Sequence, residues 1–558
     1  MIIECSVADL QKLLGGTKKK KIPKKELEDL LSMYGAPPEP CADADLIRIE
    51  VFPNRNDLLS PEGVARALRG ILGKETGLPE YKTKSSGITL KVDPSVRAVR
   101  PFISAAFVEN VALDDSSIKS LMQLQEKLHQ THGRKRKKVA IGVHDVSKIT
   151  KDIRYIALPK DKVRFVPLGM SEELSGPEIL ERHPKGMEYG GIISGFEKFP
   201  VVMDSRGTVL SLPPIINGTA TGVTSKTNAL LIEVTGTDLQ AVEQACTIVA
   251  TSLAERGGMI KTVRIVEGNK LRLAPVLSPR CMKVDPVYIR RVLGLGEKEL
   301  PDRSILKFLG LMRFGIRMKD RTILVPSYRT DVLHQIDLAE DVAIAYGYNN
   351  FETVLPSLPN VGKEDAVSGE RYNDRTTLVG LGFEEVFTFV LTSPETLFSR
   401  MNVTGERRVA VISNPKSEEF TIARDQVLPS LLGVLANNTH NSYPQKLFEC
   451  GDVVLLDEKS ETGCRNASRI AGVISDKTAG FVAIKQAVKV VLDDKGIWNK
   501  IELKPSEHGW FVPGRQADVI LEGRVIGGFG EIHPQVLENF GLEMPAAGFE
   551  LDALPLKD

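Results

Sequence analysis

The stretch VPSYRTDVLHQIDLAEDVAIAYGY, residues 325–348, completes a strand that starts at Thr322 and then passes into a helix from Ile336. Four carboxylates fall within it. Asp337, Glu340 and Asp341 are spaced i, i+3, i+4 and so share one face of the helix, and Asp331 stands just before, at the end of the predicted strand. Carboxylates gathered on one face repel each other. A hard divalent cation with oxygen ligands removes that cost, and magnesium commonly takes one or two carboxylates plus water. The spacing also fits a helix cap and its capping-box partner in Asp337 and Glu340, since acids are favoured at a helix N-terminus. The two readings are compatible, because capping uses only some of the oxygens.

Around this stretch, helices over 287–293 and from Ser304, the strand TILVPSYR and the acidic helix make a small winged three-helix domain over 271–350. Residues 1–85 read as an N-terminal α/β domain. In it KKELEDLLSMYG is a helix stopped at Gly35, and Ser60-Pro61-Glu62 starts another with proline at its first position. The basic run Lys18 to Lys21 before the first of these reads as a solvated loop. Residues 86–270 form a strand-rich module with turns at Asp204, Arg206-Gly207 and Asn217-Gly218, closed by a helix from Asp238. Residues 360–558 are α/β with long strands, among them EEVFTFVL, KLFECGDVVLL and RVIGGFGEI. The fold class expected is thus multidomain α/β and α+β.

Composition agrees. The 558 residues hold roughly three to five domains' worth of chain, 42% hydrophobic and 26% charged, the balance of a soluble globular protein. A net charge of +1 gives no global field for nucleic acid, so any such contact is local. Six cysteines without a CxxC pair favour a reducing, cytoplasmic setting over zinc or disulfides, and no stretch reads as a membrane span or signal peptide.

Two further constellations carry polar chemistry. RKRKK, residues 134–138, sits between a helix and the strand VAIGVHDV; it reads as a holder of RNA phosphates or as a solvated loop. Ser211, Asn217, Thr219, Thr221 and Thr224, followed by Glu233, Thr235, Thr237 and Asp238, offer hydroxyls and a carboxylate at strand ends. They read as a small pocket that orients a water, or as sheet threonines with a helix cap at Asp238. There is no GxxxxGK[ST], HExxH or GxSxG, and His144-Asp145 has no nucleophile beside it in sequence.

The stretch 325–348, together with SLPPIINGTATGVT (211–224) and IEVTGTD (232–238), resembles the beta subunit of phenylalanyl-tRNA synthetase, in its archaeal and eukaryotic form. VFPNRNDLLSPEGVARALRGILG (51–73), SNPKSEEFTIARDQVLPSLLGVLANN (413–438) and KLFECGDVV (446–454) extend the likeness in the right order over essentially the whole chain. The resemblance implies an α2β2 heterotetramer that attaches phenylalanine to tRNA(Phe) with ATP. ATP and phenylalanine bind at the alpha subunit, where synthesis occurs. The beta chain would supply assembly, tRNA binding and an editing module that hydrolyses Tyr-tRNA(Phe). It also implies magnesium on Asp331, Asp337, Glu340 and Asp341 in a site shared with alpha. Ser211, Glu233 and Thr235 become the editing-pocket candidates, Glu233 for the tyrosine hydroxyl.

The last region is expected to be a class II synthetase-like antiparallel-sheet domain without chemistry. Adenylate formation needs arginines to grip ATP phosphates. KLFECGDVVLLDE (446–458) is the place for one and runs out through Val454, Leu455 and Leu456; no arginine follows Arg524. Two other readings differ in class: a purely structural RNA-binding scaffold without active editing, and a free-standing magnesium-dependent hydrolase.

Overall fold

Helix ends follow the expected punctuation. Ser60 caps the helix Pro61–Ile71 by accepting the Gly63 N–H at 3.2 Å. Gly35, at φ 85°, ends Lys24–Tyr34 in the left-handed conformation that glycine adopts without penalty. Asp238 caps Leu239–Ala254 through the Ala241 N–H at 2.8 Å. The computed structural model describes residues 1–15, 21–403 and 408–553, so all but Lys21 of the first basic run lies outside the described residues.

The chain divides into two units, 1–354 and 355–558. The break falls in the segment that the sequence left between 350 and 360. Within the first unit the three expected domains share one core, while residues 88–274 add two further buried clusters. Leu68, Val249, Leu309 and Val342, drawn from helices of all three, belong to one continuous buried apolar cluster.

The first unit is built on a ten-stranded sheet. Its order is Ile216–Asn217, Val209–Leu212, Lys198–Asp204, Asp152–Pro159, Lys84–Val92, Met259–Glu267, Phe102–Glu109, Ala229–Gly236 and Val139–Asp145, with Lys270–Ala274 added to Met259–Glu267. Alternation assigns its faces. On Ala229–Gly236, Leu230, Ile232 and Val234 pack with the helices Asp115–Gln130 and Leu239–Ala254, while Leu231 faces a second core with Ile103, Ala105 and Tyr155. Glu233 and Thr235 share the face of Leu231. The sheet curls until its end strands approach: Asn217 Nδ2 donates to Val143 O at 3.3 Å. A side chain, not a strand ladder, bridges that gap.

Towards the end of this unit, Arg280–Lys283, Thr322–Val325 and Gly315–Arg317 form a small sheet beside the helices Pro286–Leu293, Asp302–Leu311 and Gln335–Tyr346. The expected strand TILVPSYR stops at Val325, because Pro326 has no N–H for the ladder. Asp331 therefore lies in a loop and not at a strand end.

In the second unit a seven-stranded sheet runs Glu384–Glu385, Gln445–Leu456, Cys464–Ser475, Ala546–Asp552, Arg524–Ile532, Phe511–Leu521 and Ile501–Pro505. It is antiparallel except at its first pair. Phe481–Asp494 covers one face and Leu428–Asn437 the other. EEVFTFVL is not a continuous strand: only Glu384–Glu385 and Leu391–Thr392 pair, and Phe387 and Phe389 between them are 73% and 75% exposed.

Candidate functional site

The polar set of residues 211–238 comes apart into a site and its scaffolding. Ser211 Oγ donates to Glu233 Oε1 at 2.7 Å. His144 Nε2 lies 3.7 Å from the same oxygen, and its Nδ1 meets Thr221 Oγ1 at 2.8 Å. All four side chains are buried. Glu233 Oε2 and His144 Nε2 have no hydrogen-bond partner. Native interiors rarely leave such atoms unmatched, which makes this pair the candidate site.

Of the four side chains, Glu233 and Thr221 line a cavity of about 150 Å³ walled by Met122, Ile141, Val143, Ile215 and Val223. A cavity of that size takes one benzene-sized ring. It lies where the outer edge of Val139–Asp145 meets segment 214–223. That edge is not paired with a further strand. Gln125 Nε2 donates to Ile141 O at 2.7 Å and Asn217 to Val143 O, so the backbone is satisfied while the gap stays open.

Gly142 makes room for the carboxylate. A Cβ there would collide with Glu233 Oε1 and lie 2.7 Å from His144 Nε2. Alternation in VAIGVHD puts Gly142 and His144 on one face, directly across from Glu233 and Leu231. A histidine two residues from a glycine inside an apolar strand was the available signal, and sequence reasoning passed over it.

Thr235, although two residues from Glu233 on the same face, does not line the cavity. Its hydroxyl accepts from Arg100 Nε at 3.0 Å, and Arg100 also donates to Thr235 O at 2.8 Å and Lys137 O at 3.2 Å. Burial pushes the Arg100 guanidinium down to about 10, against partial support from Tyr155 and Glu233. Thr219 donates to Pro167 O at 2.8 Å, Thr224 pairs with Thr227, and Asp238 is the helix cap, so these three are structural.

The basic run 134–138 is divided. Arg136 is buried, donates to Ile215 O at 2.8 Å, Pro214 O at 3.2 Å and Glu126 Oε2 at 3.1 Å, and lies 4.4 Å over the Tyr189 ring. It also forms part of the cavity wall. Arg134, Lys135 and Arg136 have φ of 48°, 52° and 66°, a left-handed turn that costs about 1–2 kcal/mol per residue. The turn leaves Arg134, Lys135 and Lys137 exposed.

The four carboxylates of 331–341 do not form one cluster. Arg329 takes two of them, through Nη2 to Asp331 Oδ2 at 2.7 Å and to Asp341 Oδ2 at 2.8 Å. Burial opposes the Asp331 charge, yet Arg329 outweighs it and holds that carboxyl at about 2; for Asp341 burial wins and pushes it up to about 6. Asp337 is the capping-box acid, its Oδ2 accepting the Leu333 and His334 N–H groups at 2.6 Å each. Glu340 is exposed and takes no part in the cap, contrary to the expected pairing. Among the described residues no three His, Cys, Asp or Glu side chains gather to hold a metal ion. As arranged, the four do not fit a single shared magnesium.

In the second unit two arginines near the sheet form ion pairs. Arg424 is buried against Glu449 at 2.6 Å, and Arg469 pairs with Asp552 at 2.6 Å. Among the described residues no helix is long and apolar enough to cross a membrane.

Known proteins resemble the chain along its length. Residues 109–257 match the B3/4 domain, 282–348 the tRNA synthetase B5 domain, and 351–553 the phenylalanyl tRNA synthetase beta chain CLM domain. The phenylalanine--tRNA ligase beta subunit of Methanothrix thermoacetophila is 42% identical over 99% of this chain and 99% of its own. That of Methanocaldococcus jannaschii is 42% identical over 94% and 95%. An N-terminal fragment of the phenylalanyl-tRNA synthetase beta subunit from Pyrococcus horikoshii superposes with a TM-score of 0.59 at 39% identity, covering 62% of this chain and 99% of the fragment. The sequence blocks, the curled sheet with its buried carboxylate and the near full-length identity converge: the chain belongs to the phenylalanine--tRNA ligase beta subunit family.

Proposed function

We propose that this chain works with an alpha subunit in an α2β2 enzyme of the cytoplasm that attaches phenylalanine to tRNA(Phe) using ATP, and that the beta chain hydrolyses Tyr-tRNA(Phe) formed in error. The observation that carries the editing reading is Glu233: a buried carboxylate with one oxygen held by Ser211 and the other unpartnered beside a ring-sized cavity. A site shaped for phenylalanine rejects an added hydroxyl only weakly, so a second site that hydrogen-bonds the hydroxyl must select the error. Glu233 Oε2 accepts the tyrosine O–H, and His144 Nε2 lies 3.7 Å from the other oxygen. Water attack then falls on the ester, and the exposed Arg134, Lys135 and Lys137, on the turn that carries Arg136, receive tRNA phosphates.

Residues 1–85, 86–270 and 271–350 are assigned as N-terminal, editing and winged domains, and 360–558 as the class II-like domain without synthesis. Phe387, Phe389 and Val411, all 73–75% exposed, support an alpha partner covering the second unit; Phe389 meets Phe420, and Val411 bridges Ile422. Magnesium shared with alpha at Asp331, Asp337, Glu340 and Asp341 requires Arg329 to release two carboxylates.

The test is Tyr-tRNA(Phe) deacylation by the reconstituted enzyme carrying Glu233→Ala. Editing should fall while phenylalanine charging persists. Normal clearance removes the Glu233 assignment and leaves the scaffold reading. Charging by the beta chain without alpha would remove the two-subunit reading.

A further inference from the structure

The second unit holds a cavity that the editing reading does not use. It encloses about 180 Å³ beside the start of the helix Leu428–Asn437, and its lining includes Gln426, Arg469, His508, Trp510, Asp518 and Glu550. Glu550 is oriented from behind: its Oε2 accepts the Val427 and Leu428 N–H groups, both at 2.9 Å. Its Oε1 is buried and has no partner, and the same is true of Gln426 Oε1. Arg469, whose Nη1 is held by Asp552, keeps a buried Nε–H without an acceptor. One cavity therefore presents two unmatched acceptors and one unmatched cationic donor.

Its wall is aromatic. The His508 and Trp510 rings stack with centroids 4.6 Å apart and planes inclined by 20°, and His508 Nε2 is anchored at 2.8 Å from Asp518 Oδ1. Gly528 lines the cavity beside them, where a Cβ would sit 3.3 Å from Asp518 Oδ1 and 3.7 Å from His508 Nε2. Buried polar groups are ordinarily matched, and the complement of these is specific: N–H donors toward Glu550 and Gln426, an anionic acceptor toward Arg469, and a body that lies on a ring face.

We propose that this cavity binds a small molecule carrying both a protonated amine and a carboxylate, of which a free α-amino acid is the simplest, without chemistry on it. The site stands in a different unit from Glu233, so either reading can fail alone. The chain has two tryptophans, and Trp498→Phe leaves Trp510 as the only indole. The full-length chain with that change is titrated with L-alanine, L-leucine and L-phenylalanine, and with n-butylamine and butyrate as single-charge controls.

At least one amino acid should shift Trp510 emission saturably, with affinity at least tenfold above either control. Glu550→Gln keeps an oxygen for the helix cap but turns an amide N–H₂ toward the amine, and should weaken binding at least tenfold. Gln426→Leu leaves that cap alone, should also weaken binding severalfold, and carries the test if Glu550→Gln alters the melting curve. No saturable shift with any of the three amino acids, equal affinity for butylamine or butyrate, or unchanged affinity in Gln426→Leu overturns the proposal.

Discussion

Ser211 Oγ and Glu233 Oε1 are joined by a 2.7 Å hydrogen bond between strands that are not neighbours in the sheet. The bond holds one carboxylate oxygen and leaves the other without a hydrogen-bond partner. It exists because the sheet curls, so it reports on both the fold and the candidate site.

Glu233→Gln is expected to keep the Ser211 contact and lose selectivity. Its amide cannot offer the same pair of acceptors to serine and to a phenol. Tyr-tRNA(Phe) hydrolysis should drop at least tenfold, equivalent to about 1.4 kcal/mol, with phenylalanine charging unchanged. Single-turnover deacylation measures it.

Gly142→Ala should disturb the same carboxylate from behind. The added methyl collides with Glu233 and crowds His144. Overpacking of this kind costs about 1–3 kcal/mol, read as a lower urea midpoint, and editing should fall with it. A variant with wild-type stability and editing would mean that the strand Val139–Asp145 shifts freely.

Stability should fall on mild acidification through His129. Its Nε2 accepts the Ile141 N–H at 2.9 Å, and burial, against support from Glu126, pushes its pKa from an ordinary 6.5 down to about 4. Between those values the unfolded chain binds a proton that the folded chain refuses. The contribution is complete above about pH 6.5 and is lost as pH falls toward 4, by up to about 3 kcal/mol. Urea melts at pH 7 and pH 5 should show this slope in the wild type and a shallower one in His129→Gln.

Arg329→Met should leave Asp341 buried without its hydrogen-bonded cation and Asp331 with only Arg55, at 4.0 Å. Removing one partner of a buried ion pair costs about 3–5 kcal/mol, and adding Asp341→Asn should recover part of it. If Arg329→Met is neutral at pH 7 only when magnesium is present, the cation has replaced the guanidinium. Neutrality without magnesium would mean that the buried charges are compensated elsewhere.

Replacing Arg134, Lys135 and Lys137 by alanine should raise KM for tRNA in editing and flatten its salt dependence, by about 0.7 in log–log slope for each phosphate no longer neutralised. Arg136→Ala should act differently, opening the cavity wall and lowering turnover. Equal effects of the two variants would argue against a division of roles within the run.

Much of this was legible from residue types. Ser60, Gly35 and Asp238 set helix ends because caps are local chemistry, and the alternation of 229–236 placed Glu233 on a face of its own strand. Thr235 shows the limit. Spacing put it beside Glu233, but Arg100, from more than a hundred positions away, claimed its hydroxyl. EEVFTFVL shows another: its residues favour a strand, yet pairing needs a partner strand along its whole length.

By itself, the sequence determined the family, through blocks of residues that match it in order, and also the order of elements and the stock of carboxylates, hydroxyls and arginines, which depend on composition and short-range periodicity. Tertiary structure alone decided which of them meet. Curling of the sheet brought Ser211 and His144 to Glu233, which lines one cavity, and folding of the loop after Pro326 set Arg329 between Asp331 and Asp341. Periodicity tells which face a side chain occupies; what stands opposite that face is set by contacts between residues far apart in the chain.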